Sequence, residues 1–200
     1  MFHEPNYSDF VIYRAVFGWG KAFLPLREET IGEQLMLIGL ISDTHDNLPM
    51  VEKAIQRLNN EKAELVLHAG DFTSPFTIPK FKALNCKLIG VFGNNDGDHE
   101  LLRKRFGETS NCEIRGRFAE IDANGIKIAL LHGDETELQN ALVNCGGFDA
   151  VVSGHTHVSV NKAKGKTLVI CPGEVCGYLY QKPTIALLDT VKREAKIIEI

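Results

Sequence analysis

No C-x-x-C pair occurs in this sequence, and its five cysteines (86, 112, 145, 171 and 176) are scattered and odd in number. A zinc ribbon or a thioredoxin-type redox site therefore has no support. Reduced thiols are the expectation, including Cys171 and Cys176, which bracket a Pro-Gly turn. No apolar run of about 18 residues is present, so no membrane-spanning helix is predicted. Basic charge is not in excess either: 22 Lys and Arg stand against 26 Asp and Glu, a formal net charge of −4. Sequence-independent binding of nucleic acid rests on many Lys and Arg neutralising phosphates, so no stable nucleic-acid binding is expected. The longest basic cluster, Arg103-Lys104-Arg105, reads as the solvated face of a short helix. Glu4 and Asp9 stand where a secretory leader would be basic, and a cytoplasmic location is expected. Internal repeats and low-complexity tracts are also missing.

What is present suits one globular domain. A chain of 200 residues, 44% hydrophobic and 24% charged, can bury a core without disulfide or structural-metal staples. Residues 1–35 are rich in aromatics (Phe2, Tyr7, Phe10, Tyr13, Phe17, Trp19, Phe23) and have no clear period. They are read as an N-terminal extension, a tail ahead of Met36. The alternative is a contact with the domain or with a second copy in a homodimer.

From Met36 onward the pattern is regular. Leu37-Ile38-Gly39-Leu40-Ile41 is an apolar run of strand length, as expected for a strand buried on both faces. Leu48, Val51, Ala54, Ile55 and Leu58 recur at helical spacing and predict a helix over 48–61. Strands follow at 65–67 and 87–92, with a helical stretch over 75–84 between them. This alternation implies parallel strands joined by right-handed crossovers. The second half is richer in β-structure. Strands are predicted at 113–122 and 126–131, joined by the hairpin signal Asn124-Gly125. A helix over 135–144, a strand at 149–153 and short β segments at 158–163, 167–171, 184–189 and 196–200 complete the reading.

The polar residues sit where those strands end. Ser42-Asp43-Thr44-His45 follows the first strand, Gly70-Asp71 the second and Gly93-Asn94-Asn95-Asp96 the third. His132-Gly133 ends the strand at 126–131, and Gly154-His155-Thr156-His157 ends the strand at 149–153. Ligand sites in parallel α/β sheets lie at the carboxyl ends of strands, so five strand ends deliver two Asp, one Asn and four His to one edge. Imidazole and carboxylate together favour Mn, Fe, Zn or Ni over Ca or Mg. Seven donors exceed one site but fit two ions sharing a carboxylate, about 3.5–4 Å apart, as in in-line displacement at phosphorus. Singly, each element is weak. His-x-His is only suggestive, because alternate residues of an extended chain point to opposite sides.

In that order, D-x-H, G-D, G-N-x-D, H-G and G-H-x-H resemble the calcineurin-like metallophosphoesterase superfamily, most of all its small single-domain archaeal and bacterial phosphodiesterases. The resemblance spans residues 36–200. It implies an α/β fold, a four-layer αββα sandwich of two mixed sheets flanked by helices. It implies a phosphodiesterase that hydrolyses small phosphodiesters through a metal-bridging hydroxide. One metal would lie on Asp43, His45, Asp71 and His157, and the second on Asp71, Asn94, His132 and His155. Mn²⁺ is the preferred ion, with Ni²⁺, Fe²⁺ or Zn²⁺ as alternatives. Asp96 fills the acidic slot that ends the third motif, where it supports neighbouring groups.

Many members of the superfamily carry His directly after the motif's Asn, against the scissile phosphate, and small relatives often carry Cys. Here that position is Asn95, which can hydrogen-bond a phosphate oxygen but cannot donate a proton as an acid. Catalysis is then expected to rest on the electrostatics of the metals. His68, within the second strand, reads as a core or supporting histidine, and His99 as solvent-facing. A catalytically silent protein-binding scaffold of the same fold is the alternative, and it predicts gaps in the ligand set that this sequence does not have. A DNA nuclease or a protein phosphatase of the superfamily fits less well, given the acidic charge, the short length and the missing His. Asn95→Ala is expected to lower the hydrolytic rate less than Asp71→Asn does; the reverse ranking in a steady-state assay would undo this assignment.

Overall fold

The structure, a computed structural model, describes residues 35–200. Apart from Leu35, the N-terminal extension lies outside the described residues. Eleven strands and three α-helices follow. The first sheet contains β1 (Leu37–Ile41), β2 (Leu65–His68), β3 (Lys87–Gly90) and β4 (Cys112–Ile114), with β10 (Thr184–Asp189) and β11 (Glu194–Glu199). Its order is β11-β10-β1-β2-β3-β4; β1 to β4 are parallel, while β10 runs antiparallel to β1 and β11 to β10. The second sheet contains β5 (Phe118–Ala123), β6 (Ile126–Leu131), β7 (Ala150–Val152), β8 (Val160–Lys164) and β9 (Thr167–Cys171), in the order β5-β6-β7-β9-β8. There β6, β7 and β9 are parallel, and β5 and β8 are antiparallel to their neighbours.

The period-two alternation of each strand assigns its residues to layers. Ile38 and Leu40 of β1, Leu65 and Leu67 of β2, and Ile128 and Leu130 of β6 meet in one buried cluster between the sheets. On its outer face the first sheet packs Ile41, Val66 and Leu88 against Val51, Ile55 and Leu58 of α1 (Leu48–Asn60) and Leu102 and Phe106 of α2 (His99–Glu108). Ala129, Leu131 and Val151 of the second sheet pack against Val143 of α3 (Thr136–Asn144). Helix, sheet, sheet, helix is the four-layer sandwich expected from the sequence.

Two local expectations change. The strand predicted over 113–122 is two strands in different sheets. Gly116, at φ +81°, turns the chain between β4 and β5, and its carbonyl accepts from Phe92 N at 2.6 Å. Apolar periodicity does not reveal this crossing, because both pieces are extended. The stretch over 75–84 is a 3-10 helix, Ile78–Ala83, with Pro79 in its first turn. Arg103-Lys104-Arg105 lies in α2, where the Arg103 guanidinium stands 4.9 Å from the Phe92 ring centroid. Among the described residues no helix is long and apolar enough to cross a membrane.

Phe106 joins α2 to the sheet: it is buried and meets Phe72 edge-on at 5.2 Å between centroids. Phe106→Ala is expected to cost about 3–5 kcal/mol through the cavity it leaves. Urea unfolding checks this, as a lower midpoint at unchanged slope.

Candidate metal centre

The carboxyl ends of β1, β2 and β3 in one sheet and of β6, β7 and β9 in the other open on the same edge. The loops leaving them are unusually bent. Asp43, His45, Asp71, His155 and His157 all have positive φ, between 40° and 67°. Each such residue costs on the order of 1–3 kcal/mol and persists only where its surroundings over-determine it. Here backbone hydrogen bonds do so: Asp43 N donates to Gly70 O (3.1 Å), His45 N to Asp71 O (3.1 Å) and Gly154 N to His132 O (2.7 Å). Tight approach also demands small residues. A Cβ on Gly93 would overlap the Asp71 carboxylate, and one on Gly154 would lie 2.7 Å from Asp43 Oδ2. Because His155 and His157 both curl into the left-handed region, the alternation of an extended chain does not apply, and both rings turn inward.

The seven side chains gather around Asp43 and Asp71: Asp43 stands with His45 and His157 in a first group, and also with Asp71 and His132, which begin a second. His45 Nε2 lies 3.3 Å from His157 Nε2, 3.9 Å from Asp43 Oδ1 and 3.4 Å from Asp71 Oδ2. His157 Nε2 is 3.5 Å from Asp43 Oδ1. In the second group, His132 Nε2 is 3.3 Å from the same Asp71 Oδ2 and 2.9 Å from Asn94 Oδ1, which in turn lies 3.0 Å from His155 Nδ1. Asp43, Asp71 and His132 are buried, whereas Asn94 and His155 are exposed at the mouth.

Hydrogen bonds behind the rings decide which nitrogen faces inward. His132 Nδ1 is 2.7 Å from Ala69 O, and a carbonyl only accepts, so Nδ1 carries the hydrogen. Nε2 is then the nitrogen turned toward Asp71 and Asn94, and in the neutral ring it is the lone pair available to a metal. His157 Nδ1 donates to Glu174 Oε2 at 2.7 Å, which turns its Nε2 into the first group. His45 Nδ1 bonds the Thr73 hydroxyl at 3.1 Å. Nitrogen lone pairs, carboxylates and an amide oxygen, with no thiolate, form a donor set suited to divalent transition metals.

Charge is balanced unequally. Burial pushes the Asp71 carboxyl up, but the hydrogen bond and charge of His132 and two hydrogen bonds from Asn95 outweigh it, and the group is held below the ordinary range. Burial dominates at Asp43, where Ser42, His132 and His157 offset only part, so that carboxyl is raised. At His132, burial acts downward, and the Asp71 carboxylate more than reverses it.

Glu174 is absent from the sequence reading. It is fully buried and accepts from His157, from Leu179 N (3.0 Å) and from Tyr180 N (2.7 Å). Its signal was available: Gly173-Glu174 follows β9 as Gly70-Asp71 follows β2, a sixth strand end. Cys176 joins His157 and Glu174 within 4.8 Å. Burial pushes its thiol up to about 12.

The remaining residues fall around this centre. Asn95 donates from its backbone to Asp71 Oδ1 (2.9 Å) and from its side chain to Asp71 Oδ2 (2.8 Å). Asp96 is buried and accepts from Gly93 N (2.7 Å), Asp71 N (3.1 Å) and Thr73 N (2.7 Å), stapling two of the loops together. His68 is wholly buried and stacked on Phe72 at 3.7 Å. It accepts from Gly70 N at Nδ1 (3.1 Å), which leaves Nε2–H for the Thr44 hydroxyl (3.2 Å). Burial holds it well below the ordinary histidine pKa, as a neutral ring. His99 is half-buried rather than solvent-facing and stacks on Phe92 at 4.0 Å.

The family model described as "Calcineurin-like phosphoesterase superfamily domain" matches residues 36–193. The chain belongs to that superfamily. It is 40% identical over 163 residues to the phosphodiesterase MJ0936 of Methanocaldococcus jannaschii, covering 82% of this chain and 98% of that one. The solved structure of an archaeal phosphodiesterase, also 40% identical, superposes with a TM-score of 0.79 over 82% of this chain and 100% of its own. Vps29 of Entamoeba histolytica, solved with zinc, shares the fold at 22% identity (TM-score 0.60; 82% of this chain, 98% of its own). This member of the superfamily therefore has the two mixed sheets and flanking helices of its relatives.

Glu174→Gln keeps the shape but removes the charge that orients His157. Divalent-metal affinity is expected to fall about 10-fold or more, the usual cost of losing a group that positions a ligand. Equilibrium dialysis with Mn²⁺ measures it, and unchanged affinity would remove Glu174 from the supporting set.

Proposed function

We propose that the protein is a phosphodiesterase with a two-metal centre. One ion would be held by Asp43, His45, Asp71 and His157, and the other by Asp71, Asn94, His132 and His155. The observation that carries this reading is the position of Asp71 Oδ2, 3.4 Å from His45 Nε2 and 3.3 Å from His132 Nε2. One oxygen thus lies near a histidine of each proposed ligand set, which supports a bridging role for Asp71. The 40% identical archaeal relative, a phosphodiesterase, supports the same reaction class. When bound, such a pair of ions supplies a hydroxide near neutral pH and neutralises charge that develops on the phosphoryl oxygens. The nitrogen and oxygen donor set is compatible with Mn²⁺, Ni²⁺, Fe²⁺ or Zn²⁺, and Mn²⁺ is the proposed ion.

The chain's own groups divide the remaining work. Asp96 and His68 hold the loops that carry Asp71, and neither reaches the mouth of the site. Asp96 is therefore a positioning residue; no direct part in the chemistry is assigned to it. Asn95 uses one amide N–H on Asp71 and has a second for a phosphate oxygen. It has no proton to give a leaving group, so the reaction favours diesters with good leaving groups over unactivated monoesters.

Hydrolysis of bis-p-nitrophenyl phosphate by metal-stripped protein, with Mn²⁺, Ni²⁺, Zn²⁺ or Mg²⁺ restored, tests the proposal. Turnover is expected with the transition metals and is expected to be lost in Asp71→Asn. Absence of turnover with every metal, from folded protein, would favour the protein-binding scaffold.

A further inference from the structure

A cavity of about 480 Å³ opens beside the metal centre, with His157 in the wall of both. It lies where the edge strands of the two sheets, β8 and β11, come together. This is within the size of small-molecule sites, about 300–1,000 Å³. Tyr180, Val158 and Ile197 give it flat and apolar surface, while Lys182, Glu199 and Ser159 give it polar groups. Tyr180 is not loosely placed: its backbone N–H is bonded at 2.7 Å to Glu174, the carboxylate that also holds His157. The position of the wall and the position of the imidazole are therefore set by the same buried group. None of the superfamily's five motifs reaches these residues, apart from His157 itself.

The lining selects a kind of occupant. Lys182 and Glu199 carry opposite charges, so the cavity as a whole does not favour a second phosphate or another carboxylate. It offers an ammonium donor, a carboxylate acceptor and the Ser159 hydroxyl around a half-exposed phenol ring. A flat group with both donors and acceptors on its edge matches all of these at once: its face stacks on Tyr180 while its edge meets Lys182 and Glu199. A simple alkyl group would use only Val158 and Ile197.

We propose that this cavity is the subsite for one ester group of the diester, and that it selects a nucleoside over a small alkyl group. The inference deepens the phosphodiesterase reading and rests on it for its kinetic test alone; binding to the cavity is measured separately. Tyr180 and Lys182 are then specificity-determining residues, and neither takes part in breaking the P–O bond.

Two esters with the same leaving group separate this effect from chemistry: thymidine 5′-(p-nitrophenyl phosphate) and methyl p-nitrophenyl phosphate. With Mn²⁺-loaded protein, kcat/KM should favour the thymidine ester, chiefly through KM. Tyr180→Ala and Lys182→Met should each lower that ratio about 10-fold, the scale of one lost stacking or charge-assisted contact. In parallel, thymidine is titrated into metal-free protein and followed by amide chemical shifts. Shifts at Val158, Ser159, Tyr180 and Ile197, lost in Tyr180→Ala, are expected. A ratio near one in the parent protein, or a ratio that neither substitution changes, would overturn the proposal, as would thymidine binding elsewhere or not at all. Thymidine bound in the cavity of a protein that hydrolyses neither ester would overturn the phosphodiesterase reading, and with it the ester-group assignment, and leave only a nucleoside-binding cavity.

Discussion

Two carboxylates, Asp43 and Asp71, lie almost wholly out of water at the joint between the sheets. A buried charge is costly unless it is paired and hydrogen-bonded, and this demand shapes everything near it. His132 spans the joint, reaching from the end of β6 to Ala69 O behind it and to Asp71 in front. Asn95 supplies two donors to Asp71. Asp43 receives the His155 backbone N–H at 3.2 Å from the opposite sheet. The same contacts that lower the cost of burying the charges bring the two sheets' loops to within ligand distance of one another.

Rigidity follows from the second layer of contacts. Asp96 ties the Asp71 loop to the Gly93 loop by three backbone N–H groups, and His68 links Gly70 to the Thr44 hydroxyl, which donates in turn to Asp71 O at 3.2 Å. Among the described residues no buried side-chain polar atom lacks a partner. Pre-organised donors of this kind hold a charged site in shape without rearrangement when it acts. The strained backbone at Asp43, His45, Asp71, His155 and His157 is the local cost, and the surrounding hydrogen bonds hold it there.

The shared architecture also shows why the fold by itself does not assign the reaction. Vps29 and an archaeal phosphodiesterase both superpose on this chain. Function belongs to the site carried on the fold. In this chain the site is marked by seven candidate ligands, by Asn95 bonded twice to Asp71, and by a neighbouring cavity whose wall shares only His157 with the common motifs.

Much of this was legible in the residues. Apolar runs such as Leu37–Ile41 and the spacing of Val51, Ile55 and Leu58 determine buried strands and an amphipathic helix, because local hydrophobic period is a property of the sequence. The seven candidate ligands were picked out for the same reason, each standing just past an apolar run at a strand end, and the fold brings them to one edge. Glu174 stands in the same relation to β9, yet its meaning depends on His157, seventeen residues away in the chain, so only the folded contact reveals it. The change of sheet at Gly116 was also hidden, since both flanking strands are extended and only their partners differ. Which imidazole nitrogen faces the centre, and whether Asp96 meets substrate or backbone, is decided by neighbours such as Ala69 O and Gly93 N. Local pattern determines what each segment can become; contacts between distant segments decide what each side chain touches.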